Sequence, residues 1–155
     1  MSVAFRRDSD EEHREPRPEL PIPPGPNLVT PRGLAQIEAR VAELEVTLAA
    51  GGSEEAVAAV KRDLRYWHLR RATAQPAPHA SGEEAAFGTR VGYRIDGGAM
   101  AHAEIVGADE ADPATGRVAF TAPLARALIG AAPGERVDLG ARRNAVEIIS
   151  VDLIA

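Results

Sequence analysis

Apolar residues recur at alternating spacings of three and four at Leu34, Ile37, Val41, Leu44 and Leu48, and again at Val57, Val60, Leu64 and Trp67. Each run is the stripe of a helix that buries one face. Between them stands Ala49-Ala50-Gly51-Gly52, where the glycines end one helix and turn the chain. Thr30 and Ser53 precede the two runs as N-caps, Pro31 suits a first helical turn, and Glu54 and Glu55 favour the positive end of the second helix. Two helices of about 18 to 22 residues joined this tightly bury their stripes against each other. The expectation is an antiparallel hairpin over residues 30–75, about 30 Å long.

From Phe87 the period changes to two. Val91, Tyr93 and Ile95 alternate with polar or small residues, Asp96 to Ala99 supplies a turn, and Ala101, Ala103 and Ile105 resume the alternation, which predicts a β-hairpin. Val118 and Phe120 read as a third strand, Val137 and Leu139 as a fourth, and Val146 to Leu153 as a fifth. Pro123 to Ile129, stopped by Gly130, reads as a two-turn helix. The fold class is therefore α+β, a helical hairpin followed over 87–155 by a small antiparallel sheet with one short helix. Aromatic residues make up only 4% of the chain, so the core rests on Val, Ile and Leu.

The flanking segments carry no such pattern. Residues 1–29 combine an acidic stretch with LPIPPGP and read as a disordered, polyproline-like arm whose partner is unknown. Residues 76–86, with Pro76 and Pro78, read as a linker. The second helix carries Lys61, Arg62, Arg65, Arg70 and Arg71, either a solvated face or a contact surface for an acidic partner. A net charge of −5 argues against a general nucleic-acid surface and favours a protein partner. The chain has no Cys, which excludes a thiolate metal site and a cysteine nucleophile. No apolar stretch approaches the roughly 20 residues of a membrane span, and acids occupy the place of a signal peptide's apolar segment. A cytoplasmic location is the default expectation.

Three segments, in order, carry a resemblance. Phe87-Gly88 opens a strand, Ile105-Val106-Gly107 is followed by Asp109-Glu110-Ala111-Asp112, and Ala122-Pro123-Leu124-Ala125-Arg126-Ala127-Leu128-Ile129-Gly130 forms the short helix. This resembles the C-terminal domain of the bacterial transcription elongation factors GreA and GreB. Leu28-Val29-Thr30-Pro31-Arg32-Gly33-Leu34 is similar to the opening of the Gre coiled coil, and Arg65-Tyr66 to a pair ahead of the C-terminal domain.

The resemblance implies an FKBP-like C-terminal domain that docks on bacterial RNA polymerase at its secondary channel, with the hairpin directed into that channel and only indirect contact with nucleic acid. It places polymerase contact at Pro123, with Asp109, Glu110 and Arg126 as further candidates, and core packing at Leu124 and Leu128. Thr121 and Ala122 stand where the family has Asp or Asn followed by a Ser that would cap the helix, and Thr121 is expected to take over the cap with Pro123 in the first turn. In Gre factors an Asp and a Glu at i and i+3 on the tip hold a second Mg²⁺ beside the polymerase's own, activating water to cleave backtracked RNA. Here the hairpin is shorter by roughly twenty residues, about 15 Å of reach, and that element is absent. Glu54 and Glu55 are the only acids at the turn. Being consecutive they diverge by about 100°, and they read as first-turn acids rather than as a catalytic pair.

No other chemistry finds a pattern. His13, His68, His79 and His102 are scattered, and Gly97-Gly98 reads as a turn rather than a phosphate loop. The expectation is thus a non-enzymatic regulator of transcription elongation with no cofactor of its own, any Mg²⁺ coming through the polymerase. The alternatives are a cleavage factor using Glu54 and Glu55, or an interaction module similar to the regulator of nucleoside diphosphate kinase, with the Pro-rich arm as recruiting element.

Overall fold

The computed structural model describes residues 18–154. Strand β1 (Leu28–Val29) leads into helix α1 (Pro31–Ala50), which turns at Gly51-Gly52 into α2 (Glu54–Thr73) and returns to β2 (Gln75–Pro76), paired in parallel with β1. Thr30 and Ser53 cap the two helices as the sequence predicts, accepting the N–H groups of Gly33 and Ala56. Gly51 and Gly52 have φ of +76° and +135°, conformations that exclude most side chains and set the tight turn. Val41, Leu44 and Leu64 form the buried seam, with Leu48, Val60 and Trp67 packed against it.

The remainder comprises β3 (Thr89–Ile95), β4 (Ala101–Val106), β5 (Arg117–Ala119), α3 (Pro123–Leu128), β6 (Arg136–Leu139) and β7 (Arg142–Leu153). They form a five-stranded sheet of order β5-β4-β3-β7-β6. The β3–β4 turn is of type I′: Asp96 and Gly97 have φ of +50° and +71°, and the Gly98 N–H returns to the Ile95 carbonyl. Val91, Tyr93, Ile105, Val146 and Ile148 point to one face, which Ala125 and Leu128 of α3 cover. Gly130, with φ of +92°, ends α3 and donates its N–H to the Ala85 carbonyl.

Three features differ from the sequence reading. β5 pairs with β4 in parallel, Ile105 opposite Val118, whereas the other pairings of the five-stranded sheet are antiparallel. The loop 107–116, with its 3-10 turn at Pro113–Thr115, is long enough to carry the chain back beside Glu104, midway along β4. At α3 the N-cap is Ala122, not Thr121, and no side chain caps it. Pro123 at the first position removes one of the N–H groups that a cap would serve. The arm, expected to be disordered through residue 29, is structured at its end, where Asn27 and Val29 are buried and β1 forms. Its residues 1–17 lie outside the described residues. The linker likewise contributes Ala85, which is fully buried in the sheet core. No helix among the described residues is long and apolar enough to cross a membrane.

Candidate functional site

The seat between hairpin and sheet is built at the end of β4. Gly107 lets the backbone of β1 lie against it, for a Cβ on Gly107 would collide with the Leu28 carbonyl oxygen. Backbone cannot swing aside as a flexible side chain can. Gly107→Ala is therefore expected to lower stability by about 1–3 kcal/mol, read as a shift of the urea midpoint.

Beyond Gly107 two acids turn back onto the hairpin. Asp109 accepts hydrogen bonds from Arg70 Nε at 2.6 Å and from the Tyr66 hydroxyl at 2.5 Å. Arg70 in turn donates from Nη2 to Asn27 Oδ1 at 2.8 Å, while Asn27 Nδ2 donates to the Arg70 carbonyl at 2.7 Å. Glu110 accepts from Arg32 Nε at 2.5 Å and from the Thr30 hydroxyl. Arg32 also reaches Glu104 at 2.9 Å. The segment Thr30-Pro31-Arg32-Gly33 is thereby explained residue by residue. Thr30 caps α1 and binds Glu110, Pro31 opens the helix, and Arg32 bridges Glu104 and Glu110. Gly33 leaves room for the carboxylate, since a Cβ there would stand 2.8 Å from Glu110 Oε1.

Asp109 and Glu110, expected at a partner-facing surface, thus face inward. Glu110 is only 5% exposed, and both carboxylates spend their acceptor capacity on the hairpin. Ion pairs spanning 39 and 78 residues leave no local trace in sequence. The available signal was Tyr66 and Arg70 at i and i+4, which puts both on one face of α2. The same contacts divide the basic run of α2. Arg70 is buried on Asp109, Arg65 forks onto Glu19, Arg62 meets Asp63, and Lys61 and Arg71 remain exposed.

Burial first, then the hydrogen bond to Asp109, raise the Tyr66 phenol above its ordinary value. A folded-state value above the unfolded one, about 10, leaves this contribution intact below pH ~10 and removes it as pH climbs through the raised value. Denaturation of the parent chain at pH 9 and 11 is expected to show an alkaline loss that is smaller in Tyr66→Phe.

At the other end, Glu54 and Glu55 stand exposed in the first turn of α2 beside the Ser53 cap. As neighbours on a helix they project about 100° apart. This does not fit the paired carboxylates that a shared Mg²⁺ requires. Among the described residues no three His, Cys, Asp or Glu side chains gather as a metal site. On the sheet, Pro123 and Arg126 are exposed on α3 while Leu128 is fully buried and Leu124 packs partly against the core. Ile129, which the sequence reading did not single out as a surface residue, is 43% exposed beside them. It is the C-cap of α3, with ψ of 128°, and stands just outside the helix.

A helical hairpin seated by two inward-facing carboxylates on a five-stranded sheet defines an α+β protein. Residues 80–153 match the family described as transcription elongation factor GreA/GreB, C-terminal. This segment is thus a domain of the GreA/GreB C-terminal type. Over 70 residues it is 41% identical to transcription elongation factor GreB of Neisseria meningitidis serogroup B, covering 44% of this chain and 43% of that protein. Over 74 residues it is 38% identical to transcription elongation factor GreA of Desulfovibrio desulfuricans, covering 46% of each. The match thus spans less than half the length of these relatives. Among solved structures, GreA factor homolog 1 of Thermus thermophilus aligns over 82% of this chain and 99% of its own at a TM-score of 0.39 and 14% identity. A GreA/GreB elongation factor from Nitrosomonas europaea aligns over 83% and 99% at a TM-score of 0.39 and 16% identity.

Proposed function

We propose that this protein is an RNA polymerase-binding regulator of transcription elongation that docks through its sheet domain and presents its hairpin to the polymerase's secondary channel without efficient transcript cleavage. The match of residues 80–153 to the GreA/GreB C-terminal domain supports the docking half of this reading. The observation that carries the other half is the tip. Two arms of 20 residues end in Gly51-Gly52, and Glu54 and Glu55 are adjacent rather than paired along one helical face. Such a tip occupies space and does not hold a metal between two carboxylates. The exposed residues Pro123, Arg126 and Ile129 are the contact surface in this reading, with Asp109 and Glu110 holding the hairpin in place.

Co-purification with bacterial core RNA polymerase, followed by a Mg²⁺-dependent cleavage assay on backtracked complexes, tests it. Binding without stimulated cleavage is the expected result. Cleavage that disappears in Glu54→Ala/Glu55→Ala would replace this reading with that of a cleavage factor, and absence of binding would remove the polymerase as partner. Pro123→Asn is expected to weaken binding by about tenfold, a loss of about 1.4 kcal/mol, while the melting temperature stays within about 2 °C, because an exposed contact is lost and no core is removed. Unchanged binding would exclude α3 as the contact.

A further inference from the structure

Before β1 the chain keeps step with α2. Glu19 accepts the Arg65 fork through both carboxylate oxygens, the shortest contact 2.6 Å, and Asn27 Nδ2 donates to the Thr73 hydroxyl at 3.2 Å. Each contact joins residues 46 apart in sequence. Residues 19–27 therefore run beside the second half of α2 and in the same direction. Followed backwards, the chain leaves Arg65 towards the Gly51-Gly52 turn.

Two further cations of α2 stand on that path. Lys61 and Arg62 lie four and three residues before Arg65, on the same helical face. Lys61 is exposed, and among the described residues no acid reaches it. Arg62 has only its chain neighbour Asp63, at 3.3 Å, and its Nε is buried with no acceptor among the described residues. An unpaired N–H of this kind favours any carboxylate that draws the guanidinium out. The Arg65 fork, and more weakly the Arg62 charge, already hold the Glu19 carboxyl below its ordinary range.

The sequence ahead of Pro18 carries what this face lacks. Between residues 8 and 15, Asp8, Asp10, Glu11, Glu12 and Glu15 stand against the single cation Arg14; Arg6, Arg7 and Arg17 lie on either side of the run. Glu15 precedes Glu19 by as many residues as Lys61 precedes Arg65. Four extended residues reach up to about 13 Å, whereas four helical residues rise only about 6 Å. The step from Arg65 to Lys61 is thus within the arm's reach.

We propose that residues 8–15 fold back onto Lys61 and Arg62, so that the arm is a tethered acidic cover over the cationic face of α2. The tether supplies the carboxylates at an effective concentration on the order of millimolar, and ion pairs that are weak singly then act together. An acidic segment of a partner reaches this face only by displacing the arm. The inference does not depend on the polymerase reading, because neither of its tests contains polymerase.

The chain has no Cys, so Ser9→Cys gives the full chain one nitroxide label within the acidic run. The expected result is relaxation enhancement concentrated at the amides of Val57 to Arg65, with β5 and β6 unaffected. Converting the five acids to their amides (Asp8→Asn, Asp10→Asn, Glu11→Gln, Glu12→Gln and Glu15→Gln) is expected to reduce it about threefold or more. The arm's four arginines stay in place, so a contact carried by them would persist. Enhancement spread evenly over the surface, or undiminished in the amide variant, would overturn the contact. Titration of the unlabelled chain with hexaglutamate tests the cover. The amide variant is expected to bind this peptide at least about threefold more tightly than the parent, with shifts at Lys61, Arg62 and Arg65, and Lys61→Glu in that variant is expected to abolish the gain. Equal affinity of parent and variant, or a gain that survives Lys61→Glu, would overturn the cover.

Discussion

Arg70→Ala is expected to destabilise the protein by about 3–5 kcal/mol, the range for removing one partner of a buried ion pair. The Arg70 and Asp109 side chains are 4% and 10% exposed, so little water reaches the pair to replace what the guanidinium provides. The variant leaves Asp109 with the Tyr66 hydroxyl alone and deprives Asn27 Oδ1 of its donor. Urea denaturation measures the total. Asp109→Ala in the same background is expected to recover part of the loss, since the charge left stranded is then gone, and the double-mutant cycle isolates the coupling. A loss below about 1 kcal/mol would mean that the pair is solvated and that the seat is held by packing instead.

Leu128→Ala is expected to cost about 2–5 kcal/mol, the range for emptying a well-packed core site. Leu128 is fully buried and sits among Ile105, Val146 and Ile148 in the same core. For a chain of this length the loss corresponds to roughly 2–4 °C of melting temperature for each kcal/mol. The effect separates two roles within one helix. In the proposed reading Pro123→Asn changes what α3 touches, whereas Leu128→Ala changes whether α3 is held against the sheet. Polymerase binding by Leu128→Ala is expected to fall only as far as its folded fraction falls.

Local chemistry made the hairpin and most strands legible. The spacing of three and four, the caps Thr30 and Ser53, and the Gly51-Gly52 turn are written within a few residues of the structures they produce. The same holds for Asp96-Gly97, whose positive φ values match the strand twist. The parallel β4–β5 pairing was not legible, because alternation marks a strand and says nothing of its direction. The seat was hidden for a different reason. Asp109 and Glu110 were recognised as notable acids, yet their outward or inward aim depends on Arg70, Tyr66 and Arg32 arriving from far away in sequence. Arg70 was further disguised by lying in a run of cations, of which it alone is buried. At the tip, adjacency of Glu54 and Glu55 was itself the information, since helical geometry alone separates them.

Among the described residues, the hydrogen bonds of the seat come from the open end of the hairpin, from Asn27 to Gly33 and from Tyr66 to Gln75, with Ile37 beside them. Everything from Val41 to Leu64 is seam and turn. Whole heptads could therefore be spliced into both arms in step, each moving the turn outward by about 10 Å, and no contact with the sheet would register the change. The molecule is in this respect a gauge with a fixed foot and an adjustable probe, in which depth of insertion is a single, separable variable for evolution or for an engineer to set.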